Sequence, residues 1–127
     1  MQIILIAAAG AAGALSRYGI SSFAAHTLGD KFAYGTLIAN IIGCFLLSLV
    51  MHISLSTDII TEQTRLAVTV GFLGALTTFS TFSYETFRYI EERAYLLAFG
   101  NITLNVLCGL LATMAGLILA KILIGES

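Results

Sequence analysis

The apolar runs Gln2 to Ala25, Tyr34 to Leu55, Leu66 to Tyr89 and Tyr95 to Ile124 fill almost the whole sequence. Each is long enough to cross a bilayer, whose hydrocarbon core takes about 20 residues of helix. Lipid offers backbone groups no hydrogen bonds, and a helix pairs its own. The runs therefore predict an all-α integral membrane protein, multi-pass, with four transmembrane helices in a single domain spanning residues 1–127. The charges agree with this division. Asp30 and Lys31 mark the first gap, Asp58, Glu62 and Arg65 the second, and the stretch RYIEER ending at Arg93 the third. No gap is long enough for a separate soluble domain.

Composition narrows the function classes. The chain is 58% hydrophobic and 10% charged, with a mean hydropathy of +0.97. A net charge of -1, with no basic run, excludes the electrostatic footprint of a nucleic-acid binder. Cys44 and Cys108 stand alone in apolar runs and read as small packing residues, with no spacing for a zinc site or disulfide framework. The N-terminus lacks the positive stretch of a secretory signal and reads as the first helix. Counting Lys and Arg on each side gives Arg65 and Lys121 against Lys31, Arg88 and Arg93, with Arg17 near the latter end. So weak a bias permits insertion in both orientations, and two opposed copies could then pair.

Proline is absent, so any break in a helix must come from glycine, from hydroxyls competing for backbone bonds, or from a ligand. The segment GFLGALTTFSTFSYE, residues 71–85, offers the first two together. The expected break lies between Gly71 and Thr78, near the middle of the third run, with Gly71 and Gly74 permitting it. Irregular backbone at that depth must be buried in protein or face an ion. Small residues at four-residue spacing, Gly35, Ala39 and Gly43 in the second run and Ala112, Gly116 and Ala120 in the fourth, suit close helix packing. They fit contacts within one subunit or between two.

Polar side chains inside these runs are the candidate functional groups. Asn40 shares a helical face with Thr36, and Asn101 and Asn105 repeat the one-turn spacing. Each amide is either a helix-to-helix staple or part of a polar path. Arg17 and Glu85 lie close enough to run ends to escape the full cost of a charge at the bilayer centre. His26 and His52, also at run ends, read as interfacial. In the third run Phe79 and Phe82 share one face, Ser80 and Ser83 the adjacent one, and Thr77, Thr81 and Glu85 follow at four-residue spacing. Phenyl edges are electropositive and hydroxyls donate hydrogen bonds. Such a wall suits a small anion in transit, held strongly enough to lose water and weakly enough to leave.

Three stretches carry a resemblance: GAAGALSRY, GTLIANIIGCF and GFLGALTTFSTFSYE. Through them the chain resembles, over nearly its whole length, the Fluc (CrcB-type) fluoride channels. The resemblance implies a passive fluoride-selective channel of the plasma membrane that lowers fluoride toxicity. It would work as an antiparallel, dual-topology homodimer with two fluoride pathways. The family's pathway positions fall on Asn40, Phe79, Phe82, Ser80, Thr81, Ser83 and Glu85, and its entrance arginine on Arg17; Thr36 joins them as the polar neighbour of Asn40. Its central structural sodium ion, held by backbone carbonyls at the helix break, implies Gly74 and Thr77 here. Asn101 and Asn105 depart from the family's tyrosine or serines and are expected to contribute amide donors to the path. The alternative, a small multidrug-type proton-coupled exporter, needs a carboxylate in the first helix, where this chain has Arg17 and no acid. Enzyme chemistry finds no placed His, acid or metal cluster beside the hydroxyls, so the chain reads as no enzyme.

Overall fold

The computed structural model describes residues 1–126 and is all-helical. Helix α1 covers Gln2–Leu28 and α2 covers Tyr34–Ser56. The third span is divided. Helix α3 opens as Glu62–Leu66, continues through a π-helical stretch Ala67–Leu73 and closes with the turn Gly74–Leu76. After two extended residues, α4 runs Phe79–Glu91, and α5 covers Tyr95–Ile124. Four helical spans are long and apolar enough to cross a membrane, the third being Glu62–Glu91 taken across its break.

Local chemistry sets the ends. Thr61 caps α3 by accepting a hydrogen bond from the Thr64 backbone at 3.3 Å, relieving one of the orphan N–H groups of a helix start. Between α4 and α5 the chain turns within Glu92 to Ala94, with Arg93 in the left-handed region at φ 59°. The Arg93 and Ala94 N–H groups close the end of α4 on Ile90 and Tyr89. At the far end Gly125 adopts φ 74° and caps α5.

The interior is small. Ala39, Leu73 and Leu76 form its centre, with Ile20, Leu46, Val68 and Phe72 packed around them. Large apolar side chains along every span face outward, as expected where lipid is the solvent. The small-residue stripes are therefore contacts within the subunit. A side chain at Gly35 would run into Ser21 of α1, and one at Gly116 into Ser48 and the Phe45 carbonyl of α2. On the other side of the bundle α1 lies against the π-helical stretch, where a side chain at Gly13 would strike the Phe72 carbonyl.

The third span breaks near its middle, but not at its glycines. Gly74 is helical at φ -62°, ψ -34°, and the extended residues are Thr77 (φ -82°, ψ 155°) and Thr78 (φ -153°, ψ 122°). Two β-branched residues favour extended backbone, and Thr77 Oγ1 donates to the Leu73 carbonyl at 2.9 Å, competing with the helical ladder. Gly71 instead brings α3 close to Ile6 and Ala9. The break also removes Thr77 from the file of Thr81 and Glu85, which a continuous helix would have aligned. Arg17 lies roughly 16 Å from the C-terminal end of α1 at 1.5 Å per residue, deeper than a position at the end of the span.

These seams yield a stability prediction. Gly13→Ala should destabilise the folded protein by about 1–3 kcal/mol through overpacking against a backbone carbonyl. Gly100→Ala, whose nearest foreign atom would be a Phe32 ring carbon at 3.9 Å, should be tolerated. Thermal unfolding in detergent compares the two.

Candidate functional site

The break is held by one side chain from the neighbouring helix. Asn40 of α2 meets the peptide groups of Thr78 on both sides: Thr78 N–H donates to Asn40 Oδ1 at 2.9 Å, and Asn40 Nδ2 donates to the Thr78 carbonyl at 3.2 Å. The amide thus stands in for a backbone partner where the helix has none. Gly43, one turn further along α2, leaves room for the Thr77 methyl, which a side chain at position 43 would overlap. Thr78 then starts α4: its Oγ1 accepts from Thr81 N–H at 3.1 Å and donates to Thr81 Oγ1 at 3.0 Å. Ser80 Oγ lies 3.3 Å from the same hydroxyl.

Around the break is a cleft of about 360 Å³. Asn40, Gly74, Thr77, Thr78, Phe79 and Phe82 line it, with Cys44 and Asn105 beside them. The Phe79 and Phe82 rings are 5.5 Å apart and tilted by 54°. Phe79 is 78% exposed, so the cleft's aromatic wall is open on the face of the single subunit. The Thr78 N–H that a continuous helix would give to the Gly74 carbonyl goes to Asn40 instead, which leaves that carbonyl oxygen without its helical donor. Among the described residues no group of three His, Cys, Asp or Glu side chains gathers to bind a metal.

Deep in the bundle, amides continue the pattern. Asn40 Nδ2 also donates to Asn105 Oδ1 at 3.0 Å, and Asn105 Nδ2 donates to the Asn101 side-chain and backbone oxygens at 3.0 and 2.9 Å. Asn101, fully buried at 0% exposure, donates to Thr86 Oγ1 at 3.0 Å. Thr86 in turn donates to the Phe82 carbonyl at 2.8 Å. Asn40, Thr78, Asn105, Asn101 and Thr86 thus join α2, α4 and α5 through one connected chain of hydrogen bonds.

Comparison with known proteins gives the family of the chain. Residues 4–117 match the family model described as CrcB-like protein, Camphor Resistance (CrcB). The chain belongs to the CrcB family. A CrcB relative from Dehalococcoides mccartyi, strain BAV1, named fluoride-specific ion channel FluC, is 48% identical over 122 residues, covering 96% of this chain and 94% of its own length. Relatives of the same name from Geobacter sp. strain M21 and Geotalea uraniireducens are 47% and 46% identical, each covered over 98% of its length.

Within the CrcB chain the remaining candidates fall into two groups. Thr36 Oγ1 donates to Glu85 Oε1 at 2.7 Å, joining α2 to α4 one turn beyond Phe82. Glu85 Oε2 is buried with no hydrogen-bond partner among the described residues. This carboxylate borders a recess of about 490 Å³ that also includes Asp30, Lys31, Arg88 and Glu92. Arg17 is half-buried on α1 and forms no ion pair among the described residues; the cleft does not include it. Sequence reasoning missed Thr78, because periodicity was followed through a helix that in fact restarts there. The signal was present, since threonine is among the residues favoured as the first cap of a helix.

Removing the cap should therefore register. Thr78→Val should lower stability by about 0.5–2 kcal/mol through loss of the bond to Thr81 N–H, while Thr78→Ser should stay close to the native value. Denaturant titration in detergent measures both.

Proposed function

We propose that this CrcB protein is a passive, fluoride-selective channel of the plasma membrane, exporting fluoride that enters the cell as the neutral acid. The observation that carries the reading is the broken third span, where two phenylalanines and threonine hydroxyls line a cleft at the break. Its relatives' name supports the ion. In this reading Phe79 and Phe82 present ring edges to fluoride, and Ser80, Thr81 and Ser83 offer hydroxyls toward Glu85 and Thr36. Asn40 borders the path, with Asn105 beside it and Asn101 behind. Arg17 draws the anion toward its entrance. A narrow path with fixed donors replaces the hydration of a small ion and fails to fit chloride.

The working unit is an antiparallel homodimer in the lipid bilayer, with two fluoride paths. The open face of the cleft supports this, because an exposed phenylalanine and an unserved carbonyl at mid-span both gain from a second copy. A two-fold axis there brings the two breaks together, so that Gly74 and Thr77 carbonyls of both copies would hold one sodium ion. When bound, that ion neutralises stranded carbonyls and adds positive potential between the anion paths.

Vesicles loaded with fluoride and containing the purified protein should release it, as followed by a fluoride-selective electrode. Equal chloride release, or none of either, would sink the reading. Phe82→Ile should slow release by up to about tenfold, in line with the 0.5–1.5 kcal/mol of an aromatic edge contact. Its elution on gel filtration should remain that of the native assembly.

A further inference from the structure

Residues Gly29 to Ala33 join α1 to α2, and aromatic contacts fix where this linker lies. Ala33, at φ -76° and ψ 55°, makes an inverse γ-turn closed by Tyr34 N–H, which donates to the Phe32 carbonyl at 2.8 Å. So tight a bend sets the Phe32 ring edge-on to Tyr34, with ring centres 5.0 Å apart. The second partner of Phe32 is Tyr89 of α4, whose ring lies 6.3 Å away and within 10° of parallel. Tyr89 also turns its hydroxyl toward the Ala33 backbone N–H. On α5, a side chain added at Gly100 would first meet this same Phe32 ring, at 3.9 Å. One phenylalanine thus pins the linker to α4 and α5.

The linker lies against Glu85. Asp30, Ala33 and Glu85 each line two recesses, one on either side of them. These recesses differ in size and in charge. Toward α4 the space is about 490 Å³ and adds Lys31, Arg88 and Glu92. Arg88 donates to Glu92 at 2.6 Å, whereas Lys31 forms no ion pair among the described residues. Toward α1 the space is about 160 Å³ and reaches Ser21 and Thr36, and its charged lining is Asp30 and Glu85. An anion is repelled by the smaller recess and meets cations in the larger.

We infer that the α1–α2 linker is a strap, clasped by Phe32 and Tyr89, that closes the α1 side of the approach to Glu85 and leaves the side of Lys31 and Arg88 as the mouth of the fluoride path. The inference rests on the fluoride-channel reading and gives its path an outlet. Phe32 and Tyr89 touch no ion in this scheme. They are positioning residues that hold Ala33 beside the carboxylate and keep the two recesses apart.

Thiol labelling tests the strap without relying on conduction. With Cys44 and Cys108 replaced by alanine, Ser21→Cys puts a thiol in the smaller recess and Leu97→Cys puts one in the larger. A cationic methanethiosulfonate then reports access to each through the mass it adds. The Leu97→Cys protein should react about tenfold faster than the Ser21→Cys protein, since thiol reactivity follows exposure. Adding Tyr89→Ala should speed labelling of the Ser21→Cys protein by about five- to tenfold, the scale of one lost ring pair, while Tyr89→Phe should leave it nearly unchanged. Equal labelling of the two thiols with the clasp intact overturns the strap. So does a Tyr89→Ala effect that is absent, or that is the same at both thiols. Should Tyr89→Ala fail to fold, Phe32→Ala removes the same ring pair from the linker side, and the comparison with the clasp intact decides in either case. In vesicles, reagent added on both sides should abolish most fluoride release by the Leu97→Cys protein and spare that by the Ser21→Cys protein. Unslowed release from the labelled Leu97→Cys protein overturns the mouth. Absence of release from native vesicles would instead remove the channel reading, with the strap still judged by the labelling.

Discussion

Everything distinctive in this protein follows from opening a helix at a depth where there is no water to accept the consequences. A backbone N–H or carbonyl left bare in hydrocarbon costs several kcal/mol, so the break between Leu76 and Phe79 exists only because Asn40 exchanges two hydrogen bonds with the Thr78 peptide. Threonine chemistry on each side completes the arrangement. Thr77 folds its hydroxyl back onto the Leu73 carbonyl, and Thr78 caps the helix that restarts. What is left over is the last turn of α3, Gly74 included, whose carbonyls lose the donors a continuous helix would give them.

The glycines serve this design from outside. Gly43 makes space for the Thr77 methyl, Gly71 and Gly13 let α1 and the π-helical stretch approach closely, and Gly116 seats α5 against α2. None of them needs an unusual dihedral, since the positive-φ glycines are at Gly29 and Gly125 among the described residues. Their role is to let four spans with a very small interior press together firmly enough to hold polar groups in fixed orientations. A bundle of this size has few buried side chains with which to enforce geometry, and the amide network supplements them.

Much of the fold was legible because its signals are local. Apolar length gives the spans, and the cluster of hydroxyls gives the region of the break, since both are read along a single segment. The break's mechanism was not legible, because its decisive partner is in another helix: nothing in GTLIANIIGCF says that Asn40 faces Thr78 and not lipid or Thr36. For the same reason Asn101 and Asn105 looked like a repeat of a polar motif, whereas their bonds join α5 to α4 and α2. Glycine misled in the opposite direction. It is the usual suspect for a broken helix, yet a pair of β-branched threonines supplied the extended residues. Thr36 with Glu85, by contrast, was only half visible: each stood out as polar, and their pairing required the bundle.

The π-helical stretch Ala67–Leu73 has a further consequence for how such a chain tolerates change in length. A π turn contains more residues than an α turn, so it is the place where a residue can be gained or lost without opening the ladder. Each residue added to or taken from a helix rotates everything after it by about 100°. The stretch can therefore take up a single deletion by passing from π to α winding and keep the break facing Asn40, whereas the same deletion in the regular α-helical turn Glu62–Leu66 or Gly74–Leu76 has no such slack.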